Sequence, residues 1–163
     1  MDFMVIRPTI HVIRPMPTRR LVPQSEVMSV LRSSAGAIRV LVVDDDPRVR
    51  AAIAQTIALE DDLTLVAEAA GAVAALASSA QTDPAVALVD LLLPDRATGL
   101  TLVRNLCRRP GYAVVAMSVR SGLRQAALDA GAMEFVEKDG DVEAILRAVR
   151  RAANSLSGPR RGS

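Results

Sequence analysis

Residues 40–46 read VLVVDDD, four aliphatic residues that end in Asp44, Asp45 and Asp46. AVALV at 85–89 ends likewise on Asp90, AVVAM at 113–117 ends on Ser118, and the apolar stretch around 133–136 leads to Glu137 and Lys138. Carboxylates crowded at one rim repel each other unless a cation is present. Mg²⁺ is a hard ion that takes carboxylate, carbonyl and water oxygens and often joins a few carboxylates to a phosphate. With it bound, one carboxylate can attack a phosphoryl group while the metal and a lysine neutralise the equatorial oxygens. A nearby hydroxyl can hydrogen-bond one of those oxygens. Asp46 fits a plainer role, as the cap of a helix with Pro47 at its first position. A single Asp, Ser or Lys at such a place means little. Four apolar segments ending in three carboxylates, a hydroxyl and an ammonium are harder to dismiss.

The flanking sequence predicts the elements that hold these residues. Residues 38–43 read as a buried strand. Val49, Ile53 and Ile57 recur at four-residue spacing, which predicts a helix over 47–59. A short strand follows at 63–67, an alanine-rich helix at 71–79, and a turn at Asp83-Pro84. The strand at 85–89 leads into LLLP and a loop through Gly99, then a helix over 99–108. The strand at 113–117, a helix at 122–130 and a strand at 133–136 come next. Asp141 can cap a last helix whose Val142, Ile145, Leu146 and Val149 face inward and whose Arg147, Arg150 and Arg151 face out. Strand and helix thus alternate five times. Unrelieved apolar strands need cover on both faces, and short crossovers imply parallel, right-handed connections. The expectation is a doubly wound α/β domain over residues 38–153, a five-stranded parallel sheet with helices on both faces. Ligands of such a sheet bind beyond the carboxyl ends of its strands, where the strand order reverses.

Composition narrows the function. The 163 residues suffice for one domain, and half of them are hydrophobic. Two Phe, one Tyr and no Trp leave no stacking platform for single-stranded nucleic acid. The single cysteine, Cys107, excludes an intramolecular disulfide and a cysteine zinc cluster. Charge divides unevenly: residues 1–37 and 154–163 hold seven basic and two acidic side chains, whereas 38–153 hold thirteen and sixteen. The basic excess therefore lies in the flanks, expected to be a disordered N-terminal extension and a disordered tail. It is poor support for DNA binding by the domain. No run of eighteen apolar residues exists, so no membrane span is expected and the protein is read as cytoplasmic.

In residues 38–153 the chain resembles the receiver domain of two-component response regulators, the CheY-like superfamily. VLVVDDDP resembles the family's acidic-pair segment, with Asp44 and Asp45 as the pair. DLLLP at 90–94 resembles the phosphorylation segment, Ser118 stands at the family's Ser/Thr position, and ALDAGAMEFVEKD at 127–139 is similar to the block that carries the lysine. The resemblance implies that Asp45, Asp90 and the backbone carbonyl of Leu92 contact Mg²⁺, with Asp44 acting through water. It implies that Asp90 is the phosphoacceptor, served by a sensor histidine kinase or phosphotransfer protein. Lys138 would pair with Asp90 and then with the phosphoryl; Ser118 would move toward the phosphoryl and let Phe135 turn inward as a switch. Phe135 also reads as an ordinary core aromatic. No enzymatic activity is implied beyond self-phosphotransfer and autodephosphorylation.

Three departures stand out. PDRATG at 94–99 carries one residue more than the family usually has, and the nineteen residues between Ser118 and Lys138 are about two fewer, the shortage falling around 119–122. Val119 stands where the family favours a small alanine, and its added methyls bear on phosphoryl entry and exit. Residues after Arg151 are too few for a helix-turn-helix, so no nucleic acid is expected to bind through this chain. The expected output is a downstream protein target or a homodimer. A front half separated from a LuxR-type DNA-binding regulator is also open, which DLLLP and the alanine-rich frame suit. The three outward arginines read as solvated, or as contacts for an acidic partner or a second copy. The alternative function is a pseudo-receiver, a protein-interaction module that works without phosphorylation. A haloacid-dehalogenase-type enzyme and a dinucleotide-binding domain fit poorly, because VVDDDPR has neither the DxDx[TV] pattern nor a glycine-rich turn.

Overall fold

The computed structural model describes residues 36–157. Strands β1 (Ile38–Val43), β2 (Leu63–Ala69), β3 (Val86–Asp90), β4 (Ala113–Ser118) and β5 (Glu134–Glu137) form one sheet in the order β2-β1-β3-β4-β5. Every pairing is parallel, with one register irregularity between Val40 and Leu41 where β1 meets β2. Helices α1 (Pro47–Ile57), α2 (Ala72–Thr82), α3 (Arg96–Cys107), α4 (Arg124–Asp129) and α5 (Val142–Ser157) alternate with the strands.

Strand periodicity sorts the core into two layers. Val40, Val42, Val86, Leu88, Val115 and Met117 face Ile53 and Ile57 of α1 and Ile145, Leu146 and Val149 of α5. Their neighbours Leu41, Val43, Ala87, Val89, Val114 and Ala116 face Ala75 of α2, Leu102, Val103 and Leu106 of α3, and Ala127 of α4. The sheet is therefore dry on both sides, and its polar groups are left at the strand ends. The chain passes from β1 to one neighbour, β2, and then crosses to the other, β3, so the order reverses between β1 and β3. Asp44 and Asp45 follow the first of these strands, and Asp90 ends the second.

Several boundaries differ from the sequence expectation. Helix α3 begins three residues early, at Arg96, because Asp95 caps it by accepting the Thr98 amide at 2.9 Å. Gly99 then lies inside the helix, where a Cβ would come within 2.2 Å of the Leu91 carbonyl oxygen. This glycine allows close approach and breaks nothing. Strand β2 runs on to Ala69 and α2 to Thr82. The shortage after Ser118 is taken up by a 3-10 turn, Ser121–Leu123, that leads into an α4 of six residues. Helix α5 continues through Ser157, so residues 154–157 are helical and the boundary set at 153 falls short. The expected N-terminal extension, 1–37, and the remainder of the tail lie almost wholly outside the described residues. Among the described residues, no helix is long and apolar enough to cross a membrane.

The arginines of α5 are paired within the chain; Arg147 and Arg151 stay more than half exposed, as the solvated reading expects, whereas Arg150 is drawn further in. Arg147 meets Asp141 at 3.2 Å, Arg151 meets Glu134 at 3.0 Å, and Arg150 reaches Glu60 at 2.6 Å and both oxygens of Asp62. Arg150 thereby ties α5 to the α1–β2 connection. Its hydrogen bonds hold the Asp62 carboxyl below the usual carboxylate range. A lowered acid pKa contributes stability that is present above the unfolded value and lost as pH falls through the folded one. Arg150→Ala is expected to cost about 1 kcal/mol in urea unfolding at pH 7, the upper end for surface pairs, with the deficit shrinking toward pH 3. Gly99→Ala is expected to cost about 2–3 kcal/mol in the same measurement, since the neighbour it meets is backbone.

Candidate functional site

Asp44 is fully buried and Asp90 nearly so, whereas Asp45 is exposed. One oxygen from each carboxylate lies within 4.8 Å of the others. Lys138, carried past the end of β5, spans two of them: its Nζ donates to Asp44 Oδ2 at 2.6 Å and to Asp90 Oδ2 at 2.9 Å. The remaining oxygens are held by backbone. Asp44 Oδ1 accepts the Asp46 amide at 3.0 Å, and Asp90 Oδ1 accepts the Leu92 amide, also at 3.0 Å. Both inner carboxylates are thus fixed in plane, and Asp45 projects beside them toward solvent.

Burial raises the Asp44 pKa, and the hydrogen bond and charge of Lys138 oppose the rise without cancelling it. Burial also disfavours the charge on Lys138, but its bonds to Asp44 and Asp90 outweigh that and hold its pKa above the ordinary lysine value. The ammonium and the two carboxylates are therefore mutually dependent. Asp46 is the helix cap expected of it: it accepts the Arg48 amide at 2.8 Å, and its side-chain bonds from Arg48 hold its carboxyl below the usual range.

Ser118 is buried at the end of β4. Its Oγ accepts the Arg120 amide at 3.1 Å, and its carbonyl accepts the Lys138 amide at 2.9 Å. Phe135 is buried among Ala116, Leu123 and Ala127, so its ring already points inward, and the Arg124 guanidinium lies 5.0 Å above it. Val119 is 65% exposed and forms part of the wall of a cleft of about 400 Å³. This cleft runs from Asp45 and Lys138 across Val49, Ile53, Met117 and Ile145, between α1 and α5.

The three carboxylates pass a fit test for a hard divalent ion. All donors are oxygens, and octahedral bonds of about 2.1 Å place ligands roughly 3–4 Å apart, compatible with one oxygen from each carboxylate lying within 4.8 Å of the others. Sequence reasoning brought together Asp44, Asp45, Asp90 and Lys138, and the structure places them in one pocket. Two features escaped it. The Lys138–Asp44 pair joins residues 94 positions apart, and Arg50 donates to the Asp44 and Asp45 carbonyls from a helix face that sequence periodicity marks only as polar.

Residues 40–150 match the family model of the response regulator receiver domain. The chain belongs to the response-regulator receiver family. Among its relatives, the transcriptional regulatory protein UhpA of Escherichia coli is 35% identical over 71% of this chain and 59% of its own length. The nitrate/nitrite response regulator protein NarP of the same organism is 32% identical over 73% and 56%. A two-component response regulator of the LuxR family from Aurantimonas sp. superposes with a TM-score of 0.66 at 28% identity, covering 76% of this chain and 88% of its own. This receiver domain thus spans less than two thirds of those two curated relatives.

Removing Lys138 from the receiver leaves Asp44 buried opposite Asp90 with no counter-ion. Lys138→Ala is expected to lose about 3 kcal/mol at pH 7 in metal-free urea unfolding, the lower end for a buried pair because the lysine is partly exposed. The loss eases as pH falls, because a carboxyl with raised pKa contributes stability below its unfolded value and loses it as pH rises. A deficit independent of pH between 4 and 7 contradicts this account.

Proposed function

We propose that Asp90 accepts a phosphoryl group from the phosphohistidine of a sensor kinase or phosphotransfer protein, with Asp44, Asp45, Asp90 and the Leu92 carbonyl holding Mg²⁺. The observation that carries this reading is the bridge from Lys138 to Asp44 and Asp90, with the Asp45 carboxylate alongside. When bound, the metal supplies charge neutralisation for the equatorial oxygens of the phosphoryl group. The chain's own residues do the rest. A carboxylate oxygen of Asp90 forms the bond to phosphorus; the bond to the donor imidazole nitrogen breaks, and its electron pair stays on that nitrogen. Lys138 then transfers its contact from the carboxylate to the new phosphoryl oxygens, a small movement for a group already 2.9 Å from Asp90.

Ser118 is poised at the next strand end, and its single bond from the Arg120 amide leaves its hydroxyl proton free to turn toward an acceptor. Its movement would draw the β4–α4 connection with it. Phe135 is already inward, so in this chain the aromatic reports less through a large rotation than through its packing beneath α4. The output runs through protein contacts of the receiver, with a downstream target or a second copy. The relatives UhpA, a transcriptional regulatory protein, and NarP, a nitrate/nitrite response regulator, favour a route that ends in gene control.

Incubation with acetyl phosphate and Mg²⁺ tests the reading directly. The wild-type chain is expected to gain one acid-labile phosphoryl by intact mass, Asp90→Asn none, and Asp45→Ala to be slowed about 100-fold or more. Folded wild-type protein that binds Mg²⁺ but takes no label would leave the phosphorylation-independent interaction module as the better account. Val119→Ala is expected to change the decay rate of the labelled form; identical half-lives mean that this side chain does not control access.

A further inference from the structure

Arg50 is the fourth residue of α1 and closes its first turn, and its side chain folds back across the start of the helix. One nitrogen, Nη1, donates to the Asp44 carbonyl at 2.7 Å and to the Asp45 carbonyl at 3.3 Å. Nε faces Glu68 of β2 at 3.6 Å, and the Arg50 side chain is only 17% exposed. A cation near a helix N-terminus opposes the helix dipole, so helix stability does not account for this placement.

What the guanidinium does there is geometric. A trans peptide unit is planar, and its C=O and N–H point in opposite directions. Holding the Asp45 carbonyl therefore aims the Asp46 amide, which meets Asp44 Oδ1 at 3.0 Å. Holding the Asp44 carbonyl sets the plane of the link between the two aspartates, and with it the direction in which Asp45 leaves the backbone. Among the described residues, the Asp45 carboxylate has no hydrogen bond or ion pair of its own, so backbone direction alone presents it.

We propose that Arg50 is a positioning residue of the acidic pocket, clamping the β1–α1 link so that Asp44 and Asp45 present their oxygens toward Asp90. Glu68 offsets the guanidinium's charge and limits its repulsion of an incoming divalent cation. The inference rests on the reading of these carboxylates as the Mg²⁺ ligands.

Calorimetric titration of the full chain with Mg²⁺ alone, paired with melting curves in EDTA, tests it. Arg50→Ala is expected to bind Mg²⁺ about tenfold more weakly, in the range seen when a partner that orients a ligand is lost. Arg50→Lys is expected to recover most of that affinity, because both bonds come from one nitrogen that an ammonium can replace. If Arg50 merely relieved repulsion among the carboxylates, its removal would strengthen divalent binding. Equal or tighter binding by Arg50→Ala therefore overturns the proposal, as does Arg50→Lys binding no better than Arg50→Ala. Should Arg50→Ala melt below the titration temperature, Arg50→Lys decides alone: near-native affinity supports the clamp, and a tenfold loss refutes it. Failure of the wild-type chain to bind Mg²⁺ counts against the metal reading itself, a result distinct from either variant's.

Discussion

Three carboxylates held within 4.8 Å of one another by a dry parallel sheet are the constraint around which this receiver is arranged. Like charges at that spacing repel strongly where water is scarce. The chain answers with one ammonium inserted between the two most buried carboxylates, two backbone amides on their outer oxygens, and an arginine behind the loop. Each device lowers the cost of the cluster without dispersing it. The result is a pocket whose net charge remains negative, suited to a divalent cation, and whose geometry is set before any cation arrives.

The fold supplies the rigidity. Strands β1 and β3 are neighbours, fully buried from Val40 to Val43 and from Val86 to Val89, so the residues that follow them have little freedom to drift. Lys138 comes from the edge of the sheet beyond β4, and the bond from its amide to the Ser118 carbonyl extends the β4–β5 ladder to the level of the pocket. Phe135 lies on β5, three residues upstream of Lys138, so ring and ammonium share one short piece of backbone. Arg124 over the ring adds about 0.5–1 kcal/mol to the inward state if it behaves as other exposed cation–π pairs do.

Much of this was legible in the sequence, for a definite reason. Buried parallel strands are uniform apolar runs, and a polar residue that ends one marks a rim position directly. Asp44, Asp45, Asp90, Ser118 and Lys138 were found that way, and the resemblance of the surrounding blocks to receivers pointed to the same five. What was missed depends on distance or on side-chain direction. The α3 start was displaced because Gly99 reads locally as a breaker, whereas its lack of a Cβ answers to the Leu91 backbone eight residues earlier. Helix α5 was cut short because the polar residues after Arg151 lose the apolar period before the helix ends. Arg150 read as a solvated charge and Arg50 drew no reading, because their partners, the Asp62 carboxylate and the Asp44 carbonyl, become neighbours only after folding.

The pairing of the α5 arginines has one more consequence. Arg147, Arg150 and Arg151 each sit beside an acidic group of the same chain, so their fields largely cancel within a Debye length. A molecule approaching that helix meets paired charges rather than a basic patch. Attraction of an acidic partner by these arginines is thereby weakened, and discrimination between partners falls to shape and to contacts made after arrival.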